Sequence, residues 1–355
     1  MNHNHESLGR RRNKPAAPSR PTIKDVASRC GVHPSTVSRA LSPAMSHLVA
    51  DDVAKRIRAT AAALGYRPNI TAAGLRTGRS GLVGVLAPDI ADPGFPPVLG
   101  GVTEALHEAG YATIVVDVGP HGSPVELADR LIARGVDGLV LATVSLHDPV
   151  VEHCIGAGIP VVLVNRTDAE KLLPSVASDD ETGIRLAVDH LLALGHRRIG
   201  HVAGPQDIST GALRRAGFEA GLTQAGIPAQ EIAIEAAPSY TREAGHAAAL
   251  RLLERTPVLT AIVAANDLLA LGVYDALAER ALNCPSDVSV VGHNDMPYVD
   301  MLSPPLTTIR IAQREMGDKA ARLLLAQIRD PDARHDHIVL APVLIVRGST
   351  AAPRR

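Results

Sequence analysis

The chain has 355 residues, 46% of them hydrophobic, 21% charged and only 2% aromatic, which suits a small domain plus a larger two-lobed one with cores of Ala, Val, Leu and Ile, and excludes wholesale disorder. No apolar run reaches the roughly 18 residues of a membrane span, and the polar stretch 1–20 lacks the apolar core of a secretory leader, so the expectation is a cytoplasmic protein without membrane partners. The net charge of −1 conceals a division: residues 1–80 hold 14 Lys+Arg against 4 Asp+Glu, a net of +10, while the remainder carries 22 against 33, a net of −11, so only the head is drawn to a polyanion.

Residues 1–20 are basic, polar and aperiodic, and read as a disordered arm. Thr22 followed by Asp25 predicts a helix start, with Ile23, Val26, Ala27 and Cys30 on one face and Gly31 as the stop. Pro34 opens a second helix with Val37, Ala40 and Leu41 inward, and Val32 and Val37 have the spacing of a hydrophobic staple. Two short helices joined by a glycine turn predict a helix-turn-helix over 21–66, closed by a third helix from Asp51 to Leu64 that contributes Val53, Ile57 and Leu64. Residues 67–80 read as a linker and hinge, in which Asn69 caps a helix from Ile70 to Arg76 that is too short to be stable without a partner.

From Gly81 the pattern changes to apolar strands alternating with amphipathic helices. Strands are predicted at 82–87, 112–117, 137–142 and 160–165, and the rhythm restarts after Asp179 with strands near 198–203, 260–264 and 288–292 and helices near 181–194, 211–225, 241–254 and 267–280. The fold class is α/β: a small all-α head, then two successive lobes with parallel sheets.

On the second helix, Ser35, Thr36, Ser38 and Arg39 project away from the apolar residues and present a polar, basic face that a DNA major groove admits. Arg39 suits a guanine edge and Pro34 a thymine methyl. Leu75, apolar within a small and basic segment, suits a wedge between base steps in the minor groove; the bland reading is an interdomain linker. No catalytic or metal-binding motif follows any strand, and no cofactor is expected. His190, His196, His201 and His293 read as ordinary, His335–Asp336–His337 as a surface loop, and Cys30, Cys154 and Cys284 as reduced thiols.

The runs T-I-K-D-V-A, T-V-S-R-A-L, L-G-Y-R-P-N and A-A-G-L-R-T-G-R, continued by V-A-G-P, R-R-A-G-F, A-N-D and P-P-L-T-T-I, strongly resemble the lactose-repressor (LacI/GalR) family over roughly residues 21–348. The resemblance implies a two-lobed body like the periplasmic sugar-binding proteins over 81–350. Lobe one would span about 81–178 and 310–340, and lobe two about 179–309 and 341–350. It also implies a repressor that binds a roughly palindromic operator as a homodimer, under allosteric control by a small metabolite, sugar-like or similarly polar, held between the lobes. The DNA-binding set is then Thr22, Pro34, Ser35, Thr36, Ser38, Arg39, Asn69, Leu75 and Arg76, with Leu75 matching the family's minor-groove leucine. The effector set is Thr210, Arg214, Tyr240, Asn266, Asp267 and Asn294, joined by Phe95, a wall candidate from its place after the first strand.

Four positions qualify the match. His33 replaces the serine usual before the recognition helix and is the poorer cap. Asn294 stands where many members carry an aspartate. Asp267 is equally readable as a helix cap, and Arg214 as half of a surface ion pair. The last ten residues contain no heptad, which predicts a dimer and no larger coiled-coil assembly. Rival readings are a transport solute-binding protein, which the basic head disfavours, and an α/β enzyme. Activation against repression, and inducer against corepressor, stay open.

Overall fold

The computed structural model describes residues 21–42, 45–67, 78–119, 122–256, 258–330 and 336–354. The chain separates into two compact units, Met1–Ser80 and Gly81–Arg355. No helix among the described residues is long and apolar enough to cross a membrane.

The first unit holds α1 (Ile23–Cys30), α2 (Pro34–Leu41) and α3 (Asp51–Leu64), with a single 3-10 turn, Ser46–Leu48, before α3. Val26, Ala27, Cys30, Val37, Ala40, Ala54, Ile57 and Ala61 form its core, and Val53, Leu64 and Val32 pack at the margin. Small residues dominate because short helices crossing closely leave room for little more than methyl groups. Gly31 and Gly65 end α1 and α3 at φ of 61° and 65°, left-handed conformations that cost glycine nothing.

The second unit contains two six-stranded sheets. Sheet one has the order β11-β5-β4-β3-β1-β2, built from β1 (Leu82–Ala87), β2 (Ala112–Asp117), β3 (Gly138–Leu141), β4 (Val161–Val164), β5 (Ser175–Ser178) and β11 (His337–Leu340), all parallel. Helices α4 (Pro96–Glu108) and α11 (Gln313–Arg329) cover one face through Val98, Val102, Leu106, Met316, Ala320 and Leu324. Helices α5 (Pro124–Ile132) and α6 (Pro149–Ala157) cover the other through Leu131, Val151 and Cys154. Coverage on both faces is why β1, β3 and β4 read as unbroken apolar runs.

Sheet two has the order β12-β10-β9-β8-β6-β7, from β6 (Ile199–Ala203), β7 (Ala233–Ala236), β8 (Ala261–Ala264), β9 (Ser289–Asn294), β10 (Thr307–Arg310) and β12 (Val343–Ile345). Only β12 runs antiparallel to its neighbour. Helices α7 (Asp180–Ala193) and α8 (Ser209–Gln224) pack on one face, α9 (Arg242–Arg255) and α10 (Asp267–Glu279) on the other.

The chain crosses between lobes three times: between β5 and α7, between β10 and α11, and between β11 and β12. Asp295, 8% exposed in its side chain, binds Arg310 Nε through Oδ2 and Arg347 Nη2 through Oδ1, each at 2.7 Å, and so ties the end of β9 to the end of β10, where one crossing begins, and to the chain just after β12, all on the β12 side of sheet two. Two backbone groups also bridge the lobes: Leu146 N–H donates to the Asp207 carbonyl at 2.8 Å, and Thr167 N–H to the Ser209 hydroxyl at 3.0 Å.

Candidate functional site

In the head, α2 presents an exposed polar face. Burial of Val37 and Ala40 fixes the rotation of α2, leaving Ser35 and Arg39 exposed and Pro34, Thr36 and Ser38 half-buried beside them. The weak cap expected of His33 is corrected: its backbone is extended, and its ring Nδ1 accepts from the Ser35 N–H at 3.2 Å and lies 2.8 Å from the Ser35 hydroxyl, so the imidazole takes the place of a serine oxygen. Thr22 is committed to its own helix, since its N–H and hydroxyl both donate to one Asp25 oxygen at 2.7 and 2.8 Å. Those two bonds hold the Asp25 carboxyl below the usual range and leave Thr22 no donor for a phosphate in this geometry. Asn69, Leu75 and Arg76 lie outside the described residues.

In the body, a cavity opens where the strands of both sheets end, the place where parallel sheets bind ligands. From lobe one it is lined by Asp92 and Phe95 after β1, Asn165 and Arg166 after β4, and Gln313 at the start of α11. From lobe two come Thr210 and Arg214 on α8, Tyr240 before α9, Asn266 before α10 and Asn294 at the end of β9. Asn165 and Asn294 are held at φ of 67° and 111°, conformations that non-glycine residues rarely adopt and that cluster at functional sites.

Arg214 organises the lobe-two wall. It is 2% exposed; its Nε donates to Asp180 Oδ1 at 2.8 Å, Nη1 to the Ala265 carbonyl at 2.7 Å and Nη2 to Asn294 Oδ1 at 3.4 Å. The surface ion pair allowed by the sequence is therefore a buried one. Burial disfavours charge on both partners and lifts the Asp180 carboxyl; at Arg214 burial is the largest single influence, but the charge and hydrogen bond of Asp180, with Tyr240 and Asp267, together outweigh it and keep the guanidinium ionised. The Arg214 guanidinium carbon lies 5.9 Å from the centroid of the Tyr240 ring, and Tyr240 Oη donates to Thr210 Oγ1 at 3.3 Å. Tyr240 can take this place because Gly204, from V-A-G-P, has no Cβ: one built there would run into the ring.

Of the seven effector residues expected from sequence, Phe95, Thr210, Arg214, Tyr240, Asn266 and Asn294 meet at this cavity. Asp267 does not. It is fully buried beneath the cleft, accepting from Thr308 Oγ1 at 2.5 Å and from the Met296 N–H at 2.7 Å, and burial pushes its carboxyl up to about 7 against those two bonds. Nor does it cap α10: Asn266 does, its Oδ1 accepting from the Leu269 N–H at 2.8 Å. Asp92, Asn165, Arg166 and Gln313 were missed, although polar residues directly after β1 and β4, as in V-N-R at 164–166, stand where the strand-end rule places ligands. Asp180 and His293 were missed as supports: fully buried His293 lies with Nδ1 3.1 Å from Asn294 Oδ1 and Nε2 3.8 Å from Asp180.

A helix-turn-helix with an exposed basic reading face, carried on the same chain as a two-lobed body with a polar cleft at its strand ends, defines a ligand-responsive DNA-binding regulator. Known proteins agree: the model for bacterial regulatory proteins of the lacI family matches residues 22–69, and the one for the periplasmic binding protein-like domain matches residues 188–350. The chain belongs to the lacI family of bacterial transcriptional regulators. It is 36% identical to the HTH-type transcriptional regulator MalR of Streptomyces coelicolor, over 93% of this chain and 96% of that one. Among solved structures it resembles a complex of the transcriptional regulator CelR with cellobiose (30% identity, TM-score 0.71, 93% and 100% of the two chains). It also resembles the Lac repressor dimer bound to operator and an anti-inducer (28%, 0.82, 94% and 99%).

Proposed function

We propose that this protein is a cytoplasmic, homodimeric repressor that reads a roughly palindromic operator through Ser35, Thr36, Ser38 and Arg39 and releases or grips it according to a small polar metabolite held between its lobes. The observation that carries the reading is the pairing of an exposed Ser35–Arg39 face with a cleft organised by the buried Arg214. The Lac repressor structure, a dimer on its operator, and the CelR complex, with a disaccharide bound, support the same division of labour.

The coupling is a linkage of two binding events. An effector that favours one lobe angle acts on the three crossing segments, and no chemistry is required of it. A differential affinity of about a hundredfold between two lobe arrangements corresponds to roughly 2.7 kcal/mol, sufficient to shift an operator held near its working concentration.

The test is selection of genomic fragments by the purified full-length protein at near-physiological salt, with Arg39→Ala alongside, because low salt exaggerates nonspecific binding. The wild type enriches a palindromic site, and the variant loses about 1–3 kcal/mol of discrimination at one base pair per half-site. Failure to enrich any site, with or without metabolite extract, would overturn the reading. Equal enrichment by the variant would remove Arg39 from it.

A further inference from the structure

The cleft turns hydrogen-bond donors toward its ligand. Asn266 Oδ1 is occupied by the Leu269 N–H, which can only donate, so the amide oxygen is fixed there and Nδ2 is the end left for the cavity. Asn294 is oriented by the same logic: the Arg214 guanidinium can only donate, which assigns the atom it meets as Oδ1, and His293 Nδ1 then donates to that same oxygen. Asn294 Nδ2 is thereby aimed across the cleft, where a Cβ built at Gly94 of lobe one would lie 3.6 Å from it.

Arg166 adds a third donor group. Its Nη1 donates to the Thr143 carbonyl at 3.2 Å, and among the described residues no carboxylate comes within 4.0 Å of it. Against these stand Asp92, the one carboxylate among the described residues that line the cavity, with Oδ1 accepting from the Gly94 N–H at 2.8 Å and Oδ2 left as an acceptor for a hydroxyl, and Gln313, whose Nε2 donates to the Gly94 carbonyl at 3.0 Å and leaves Oε1 to accept; Asp207 and Asp92 favour the Arg166 charge from a distance without pairing with it. The negative charge nearest Arg214, Asp180, lies behind the cavity wall and is consumed by the ion pair.

We infer that the effector is an acidic sugar derivative, a polyhydroxylated skeleton bearing a carboxylate or a phosphate whose anionic oxygens are received by Arg166, Asn266 Nδ2 and Asn294 Nδ2. This rests on the regulator reading and names the ligand class for its cleft. A carboxylate or phosphate oxygen is met by these three donors together, and the Arg166 guanidinium among them has no ion pair within 4.0 Å among the described residues, a charge that a neutral sugar would leave without a partner.

The experiment uses full-length protein in calorimetric and thermal-shift titrations with matched probes: glucose against gluconate and glucose 6-phosphate, galactose against galacturonate, ribose against ribose 5-phosphate, with maltose and cellobiose as neutral disaccharides. At least one acid raises the melting temperature and alters operator retention at concentrations where its neutral partner does neither; gluconate against glucose 6-phosphate separates carboxylate from phosphate. Asn294→Asp, which turns a charged acceptor into the cleft, and Arg166→Gln each weaken the acid about tenfold or more, the weight of one charge-assisted hydrogen bond. Their unliganded melting temperatures report folding. Response to neutral sugars alone, absence of response to every acid, or unchanged acid affinity in both variants overturns the inference. Operator release by a neutral sugar overturns it while leaving the regulator intact, whereas absence of any operator overturns the regulator reading itself.

Discussion

At His201, on β6, a single buried imidazole sets part of the acid sensitivity of lobe two. Its Nδ1–H donates to the Val263 carbonyl at 2.8 Å, its ring stacks on Phe218 at 4.7 Å, and burial pushes it down from 6.5 to about 4. The folded state thus binds fewer protons than the unfolded one between those values. The His201 contribution is complete above about pH 6.5 and is lost as pH falls toward 4, amounting to about 3 kcal/mol at most. Urea midpoints measured across that window will fall less steeply in His201→Gln than in the wild type; parallel curves would show that His201 carries none of the dependence. Sequence reading passed over this residue as ordinary, since nothing in a lone histidine on a strand reveals whether its ring meets solvent or Phe218. Arg214 was legible because it sits in R-R-A-G-F, but its partner Asp180 lies 34 residues earlier, and only the fold brings the two together. Asp267 was misread for a related reason: A-N-D places two polar side chains at one helix start, and the chain's turn sends Asn266 to the cavity and Asp267 under Met296 and Thr308.

At the level of elements, legibility followed apolar composition and length of run. β1, β3, β4, β6 and β8 are apolar runs covered on both faces and were placed within a residue or two at each end. β5 (S-V-A-S), β7 (A-I-E-A), β10, β11 and β12 were not anticipated as strands. They are three to four residues long, several carry polar residues, and β7, β11 and β12 are edges whose pairing is decided by distant chain. Helix packing depends on glycines that propensity alone would remove. A Cβ at Gly317 of α11 would strike the Val98 carbonyl of α4, one at Gly101 the Arg314 carbonyl, and one at Gly245 of α9 would lie 2.6 Å from the Leu269 carbonyl of α10. In an exposed helix, alanine would gain about 1 kcal/mol over glycine. Here Gly317→Ala lowers the stability of the body by about 1–3 kcal/mol through overpacking, read as a shift in urea midpoint; a midpoint that stays put or rises would mean that α4 and α11 separate freely.

For the molecule as a whole, the two lobes are joined by a triple crossing, and Asp295 braces the lobe-two ends of two of its strands, the end of β10, from which one crossing leaves, and the chain after β12, the strand into which another runs. The residue is held at φ of 55° and serves Arg310 and Arg347 together. Asp295→Asn leaves two guanidiniums without their charge partner, and hydrogen exchange then accelerates at 307–312 and 341–347 while α4 and α8 keep their protection. Uniform acceleration across the body would mean that Asp295 supports overall stability and not the crossings. The alternation of apolar strands and amphipathic helices made the two-lobed plan visible in the sequence, yet the clamp was invisible because its three members are spread over more than 50 residues.

The same interleaving governs how the protein is made. Of the two lobes, lobe one begins to be made first, after the head, but lacks α11 and its edge strand until residue 340 is polymerised, and lobe two lacks β12 until residue 345. The final turn of chain matters as well: Ser349 Oγ accepts from the Thr307 N–H at 2.8 Å, and the Ala351 carbonyl meets His196 Nε2 at 2.8 Å. Lobe one therefore gains its last strand only at residue 340, and lobe two its last contacts only with residues 349–351. The head has every residue of its core by position 66. A message cut before residue 340 yields a complete head core joined to two lobes that each lack strands.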